Sequence, residues 1–185
     1  MRPDLADSDE ALAQRAQTDR EAFGELVRRY ADRIFNLAYR MTGNRTEAED
    51  LAQDAFVRAY RGLAGFRPGH AFGAWLYRIA VNVCLTHRRQ QGAAAVESLD
   101  KASEETIPDT SAPLDELAER REVQEAVQQA ILSLPPMYRA VVVLYHLEGR
   151  PYSEIAELLD LPLNTVRTHL HRGRAMLREK FAASR

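Results

Sequence analysis

The chain has 185 residues, with 25 Lys and Arg against 27 Asp and Glu, a formal net charge of −2 and 45% hydrophobic residues. This is the profile of a globular protein of one domain or two small ones, without the roughly 20-residue apolar run of a membrane span. The start MRPDLADSDE lacks an apolar signal region, and Cys84 stands alone, so a disulfide framework and a Cys-rich zinc module are excluded and a reducing, cytosolic setting is expected.

A short helix is predicted around Asp9–Gln17. From Phe23 onward, Phe23, Leu26, Val27, Tyr30, Ile34, Leu37, Ala38 and Met41 trace one face of a long helix, and Gly43 supplies its stop. Thr46-Glu47-Ala48-Glu49 reads as a capping box that opens the next helix, with Leu51, Ala55, Phe56 and Ala59 inward. Gly62, Gly65, Pro68 and Gly69 break the chain into a loop over 62–69. A further helix runs from about His70 through Arg89, with Phe72, Trp75, Leu76, Ile79 and Val83 on its apolar side.

Charge then changes abruptly. Residues 92–119 hold one basic group against eight acids, are rich in Ala, Ser and Glu, and carry few large apolar side chains. Such a stretch buries too little surface to offset its ordering entropy and is expected to be a flexible acidic linker. The expectation is an all-α chain of two helical domains: 1–91, a linker at 92–113, and 114–185.

In the second domain a helix over about Leu114–Ser133 stops at Pro135-Pro136, where a proline opens another reaching about Leu147, ended by Gly149. Ser153 is expected to cap a short helix Glu154–Leu159 with Ile155, Ala156 and Leu159 inward. Asp160-Leu161-Pro162 turns the chain, and Asn164 or Thr165 caps a final helix to about Phe181, striped by Val166, Leu170 and Leu177. Two helices joined by so tight a turn form a helix-turn-helix. Residues 165–180 contain five basic groups and one acid in a chain that is net negative. That exposed set, Arg167, Thr168, His171, Arg172 and Arg174, suits base edges first and phosphates after.

The stretch YSEIAELLDLPLNTVRTHLHRGRAMLRE closely resembles region 4.2 of sigma factors of the extracytoplasmic-function type. EAEDLAQDAFVRAYRGL resembles their region 2.2, and FGAWLYRIAVNVCLTHRR resembles regions 2.3 and 2.4, in the right order. The resemblance implies an alternative sigma factor of bacterial RNA polymerase that binds core enzyme and recognises the minus-thirty-five and minus-ten promoter elements. Polymerase binding would fall to Asp50, Gln53, Asp54 and Phe56, of which the first three share a helix face by spacing. Contacts to the minus-ten element would come from Phe66, Arg67, Trp75, Arg78, Asn82, Arg88 and Arg89. Those to the minus-thirty-five element would come from Thr165, Arg167, Thr168, His171, Arg172 and Arg174. Thr86 stands where many relatives carry Asp, Asn164 where Gly is frequent, and His169 where Arg or Lys is usual.

The implied partners are core polymerase (its β′ clamp helices and β flap), promoter DNA and an anti-sigma factor, with no direct membrane insertion. The chain would be cytoplasmic, or held at the inner membrane through that anti-sigma factor. No catalytic residue, metal site or cofactor is expected: there is no phosphate loop, no Cys/His metal spacing and no nucleophile–base signature. His169 and His171, two apart on a helix, do not form a metal pair. A stand-alone helix-turn-helix regulator remains the alternative, since it explains 114–182 but gives the first domain no purpose.

Overall fold

The computed structural model describes residues 8–67, 69–95 and 114–183. Among the described residues eight α-helices follow in order: α1 (Asp9–Arg15), α2 (Arg20–Thr42), α3 (Arg45–Gly62), α4 (Phe72–Ala95), α5 (Leu114–Leu132), α6 (Pro136–His146), α7 (Tyr152–Leu159) and α8 (Leu163–Ala183). A single 3-10 turn, Leu63–Gly65, separates α3 from α4. Most of the expected acidic linker lies outside the described residues; its first residues, 92–95, continue α4 beyond the expected end near Arg89.

Local chemistry explains most helix boundaries. Ser8 caps α1 by accepting from the Ala11 amide at 3.1 Å, and Asp19 caps α2 by accepting from Glu21 at 2.9 Å. Gly43 ends α2 in the left-handed region, with φ 76°. The expected capping box at Thr46 is not the start of α3. Asn44, extended at φ −119°, takes that role two residues earlier, its Oδ1 accepting from the Glu47 amide at 3.0 Å. The left-handed Gly43 turns the chain so sharply that the next residue is already a cap, and Asn is among the best there.

Two further caps differ from expectation. Helix α7 starts at Tyr152 behind Pro151, which leaves Ser153 inside its first turn. Helix α8 starts at Leu163, its first backbone bonds running from Thr165 and Val166 to the Pro162 carbonyl, so Asn164 and Thr165 lie within the helix. Proline explains both, because its fixed φ suits a helix entry, and α7 accordingly begins behind Pro151 without a side-chain cap.

Helices α1–α4 pack around Leu26, Ile34, Leu37, Met41, Phe72 and Leu76, all fully buried. Helix α1 is tied in by polar contacts: Tyr30 donates to Asp9 at 2.6 Å, and Glu10 accepts from the Phe72 amide at 3.2 Å, placing a carboxylate at the positive end of α4. Helices α5–α8 pack around Val141, Leu144, Ile155 and Val166. Gly173 of α8 is buried against Val142 and Tyr138, and a Cβ there would stand 2.8 Å from Val142 Cγ2, so the glycine lets α8 cross α6 closely. Leu158 is buried and Ala156 only half-buried, so α7 is rotated slightly from the expected inward set.

The two helical bodies meet. Helix α7 packs along α4, and the ends of α5 and α6 pack on α2. Tyr77, 1% exposed, donates to Glu148 at 2.6 Å, and the Arg150 guanidinium lies 4.4 Å from the Tyr77 ring centroid. Gln128 donates to the Tyr39 carbonyl at 3.1 Å and accepts from Arg40 at 3.0 Å. Gly43 touches Leu132, whose side chain a Cβ on that glycine would overlap.

Candidate polymerase and promoter interface

Three surfaces collect the residues singled out from the sequence. The first is the outer face of α3. Asp50 and Gln53 are exposed and Asp54 half-exposed, and Asp54 accepts from its neighbour Arg58 at 3.0 Å. Phe56, expected inward, is only partly buried. It lies with Phe23, Val27, Phe35 and Tyr60 in an apolar groove of about 730 Å³ between α2 and α3. The apolar stripe of α2 is therefore split: Leu26, Tyr30, Ile34 and Leu37 enter the core, while Phe23 and Val27 face this groove.

The second surface joins the loop over 62–69 to α4. Phe66 is 3% exposed, its ring 5.4 Å from Trp75 and 5.8 Å from Phe72, so in this arrangement it is a core residue rather than an exposed contact. The physical cause is the loop's 3-10 turn, which aims the ring inward. Gln17 holds that turn, donating to the Leu63 carbonyl at 3.2 Å and the Phe66 carbonyl at 3.4 Å. Sequence reasoning missed Gln17, because nothing local marks a glutamine that acts across 46 residues. Arg67, Arg78, Asn82 and Arg89 are exposed and Trp75 is half-buried. Arg88 is half-buried and donates to Gln91 at 3.0 Å; Gln91 in turn donates to Glu47 at 2.9 Å, so this cation belongs to a network linking α3 to α4.

The third surface is α8. Arg167, Thr168, His171 and Arg172 are exposed on one face, and Thr165 is half-buried at its head. Thr168 donates to the Asn164 carbonyl at 2.9 Å, and Arg167 Nη1 lies 3.4 Å from Asn164 Oδ1. Arg172 reaches the Tyr138 hydroxyl at 3.3 Å. Arg174 is more constrained: its Nε lies 3.0 Å from His146 Nε2 and its guanidinium 5.1 Å from the Tyr145 centroid. Burial, then the Arg172 charge, lowers the His169 pKa, so the residue standing in place of a basic one is neutral at physiological pH. Arg150, before α7, bridges Glu154 and the Tyr77 ring.

This arrangement of a four-helix body and a helix-turn-helix matches two family models, Sigma-70 region 2 over residues 26–94 and Sigma-70 region 4 over residues 124–177. The ECF RNA polymerase sigma factor SigW of Bacillus subtilis is 39% identical over 171 residues, covering 88% of this chain and 90% of the relative. The chain belongs to the extracytoplasmic-function sigma factors. SigE of Mycolicibacterium smegmatis is also 39% identical, over 87% of this chain, which spans 62% of that longer relative. Among solved structures, the chain is similar to CnrH in complex with the cytosolic domain of CnrY, with a TM-score of 0.71, 29% identity and coverage of 97% of this chain and 100% of the other. The fold is also shared with a sigma factor RpoE from Bartonella quintana, solved with the anti-sigma factor NepR, at a TM-score of 0.70 and 22% identity.

Among the described residues, no helix is long and apolar enough to cross a membrane, and no cluster of His, Cys, Asp and Glu suits a metal ion.

Proposed function

We propose that this sigma factor starts transcription by docking α3 on core polymerase and presenting α4 and α8 to two promoter elements. Residues 1–91 would form the body that binds core and opens the minus-ten element, 92–113 the linker, and 114–185 the minus-thirty-five reader. The observation that carries the reading is the presence of both sigma regions, in order, on one chain. A stand-alone helix-turn-helix regulator would leave the first region without a use.

The role of each surface follows from its chemistry. The acidic face of Asp50, Gln53 and Asp54 beside the groove at Phe56 suits the β′ clamp helices, with the β flap holding the second body. On α4, Trp75, Arg78, Asn82 and Arg89 offer a stacking face, a base-edge group and phosphate contacts for an opened strand, with Arg67 in the loop before them. Phe66 and Arg88 would support that surface from within. On α8, Thr165, Arg167, Thr168, His171 and Arg172 would meet base edges, with Arg174 on phosphate. Phosphodiester chemistry would belong to core polymerase, and this chain would supply recognition and strand opening. The CnrH structure, solved with the cytosolic domain of CnrY, supports control of this chain by a comparable bound partner, the anti-sigma factor that the resemblance implies. A cytoplasmic location, free or held at the inner membrane through that partner, fits such control.

Run-off transcription with purified core polymerase, followed by sequencing of transcript starts, tests the reading. Initiation at a defined set of sites is expected only when the chain is added. Asp54→Arg should abolish binding to core in a pull-down. Arg172→Ala should retain that binding while promoter-directed initiation falls, about 1–3 kcal/mol of discrimination being lost with a base-edge contact. A chain that neither binds core nor confers initiation would overturn it.

A further inference from the structure

The crossing of α8 over α6 is set by Gly173, which lies so close to Val142 that no larger residue fits without displacing it. Arg172 and Arg174 flank that glycine, and Tyr138 and His146 stand about one helical turn before and after Val142. The two arginines are thus carried to the two sides of the crossing, and each finds a partner on α6. Arg172 Nη1 donates to the Tyr138 hydroxyl at 3.3 Å. Arg174 Nε donates to His146 Nε2 at 3.0 Å, and its guanidinium lies 5.1 Å from the Tyr145 ring centroid.

The partners are themselves held. Tyr138 is half-buried, with its ring 4.9 Å from that of His169. Tyr145 is half-buried as well, its ring 5.0 Å from Tyr152 and edge-on to His146. Burial, then the Arg174 charge, lowers the His146 pKa, so at physiological pH the imidazole is neutral and Nε2 can accept with the ring proton on Nδ1. Each bond occupies one nitrogen of a planar guanidinium, which fixes its plane and leaves the other nitrogens for DNA. Arg167 differs, because its partner Asn164 belongs to α8 itself and fixes nothing relative to the rest of the domain.

We propose that α6 aims the arginines of α8 before DNA arrives: Tyr138 positions Arg172, and His146 with the Tyr145 ring positions Arg174. The proposal rests on α8 as the minus-thirty-five reader and names the residues that tune it. A long arginine side chain gives up rotamer freedom when it binds, and one already held gives up less. Aiming therefore raises affinity without adding a contact to DNA. Tyr138, Tyr145 and His146 are positioning residues, and substitutions there change promoter affinity while every DNA-facing side chain of α8 stays in place.

The test titrates holoenzyme, assembled from core polymerase and the full chain, with a fluorescein-labelled promoter duplex taken from the transcript starts that run-off maps. His146→Ala, at an exposed position, and Tyr138→Phe, which removes only a hydroxyl, are each expected to weaken binding about three- to tenfold, the cost of immobilising one side chain. His146→Gln keeps an acceptor at similar reach and should stay within about twofold of the unmodified chain. In an Arg174→Ala background His146→Ala should have no further effect, and in an Arg172→Ala background neither should Tyr138→Phe. Salt separates aiming from contact. Arg174→Ala should shallow the slope of log affinity against log salt by about 0.9, as one phosphate contact is lost, while His146→Ala leaves the slope unchanged. Unchanged affinity in the α6 variants, or the same loss with and without the arginine, overturns the positioning and leaves the reading of α8 intact. Unchanged affinity in Arg172→Ala and Arg174→Ala themselves overturns that reading, and the positioning with it.

Discussion

Arg139 is 2% exposed, and its partners are carbonyls: Met41 at the end of α2, and Leu132 and Leu134 at and after the end of α5. Helix ends leave carbonyls without intrahelical donors and carry partial negative charge, so one guanidinium caps two helices at once. Burial, then the nearby Arg88 charge, pushes its pKa down to about 10, which still leaves it charged at neutral pH. Its Nε finds no acceptor. Replacing it with Met would strand those carbonyls while relieving a buried charge; we expect a net loss of about 2–4 kcal/mol in urea unfolding of Arg139→Met. Cys84 shows the opposite use of burial. It is 1% exposed and its thiol is pushed up to about 12 by desolvation, so thiolate is scarce and access closed. Iodoacetamide at pH 8 should leave it unmodified in the native chain and label it only after denaturant is added, as mass spectrometry would show.

Between elements, the α6–α8 contact carries a proton-dependent weakness. His146 on α6 and His169 on α8 both have lowered pKa values, from burial first and then from Arg174 and Arg172 respectively. A histidine lowered in the folded state binds fewer protons there than when unfolded, so stability is held above the unfolded value near 6.5 and falls as pH drops through it. Thermal midpoints should therefore fall between pH 7.5 and 5.5, before carboxylates such as Asp19 and Glu25, whose pKa values are lowered from about 4, begin to matter. Substituting both histidines with Gln should flatten that segment of the curve. The helices themselves were legible because their signals are local: the 3- and 4-residue spacing in α2, Gly43 and Pro136 at their boundaries. Helix starts were misplaced where backbone conformation decided, behind Asn44, Pro151 and Pro162. The split of the α2 stripe between core and groove was not legible, since Phe23 and Val27 have the same spacing whether a helix or a partner covers them. The outward face of α8 could be read from Arg167, Thr168, His171 and Arg172, whereas the fixing of Arg174 by His146 depends on α6, 28 residues away.

At the scale of the whole molecule, the sequence announces two helical bodies but not that they touch. Tyr77, Gln128 and Arg139 meet partners 71 to 98 residues distant, and no spacing rule connects such positions. The polar links across the seam share one property. Tyr77 to Glu148, Gln128 to the Tyr39 carbonyl, Arg40 to Gln128 and Arg139 to the Met41 carbonyl each pair at most one charged group with a neutral one. Mobile ions screen charge against charge, and these links offer them little to screen, whereas promoter engagement displaces counterions from phosphate. The resting compact form should thus hold its dimensions from 50 to 500 mM potassium chloride in small-angle scattering, while DNA affinity collapses over the same range. A change in ionic strength would then tune how firmly the factor grips a promoter without ever springing it open.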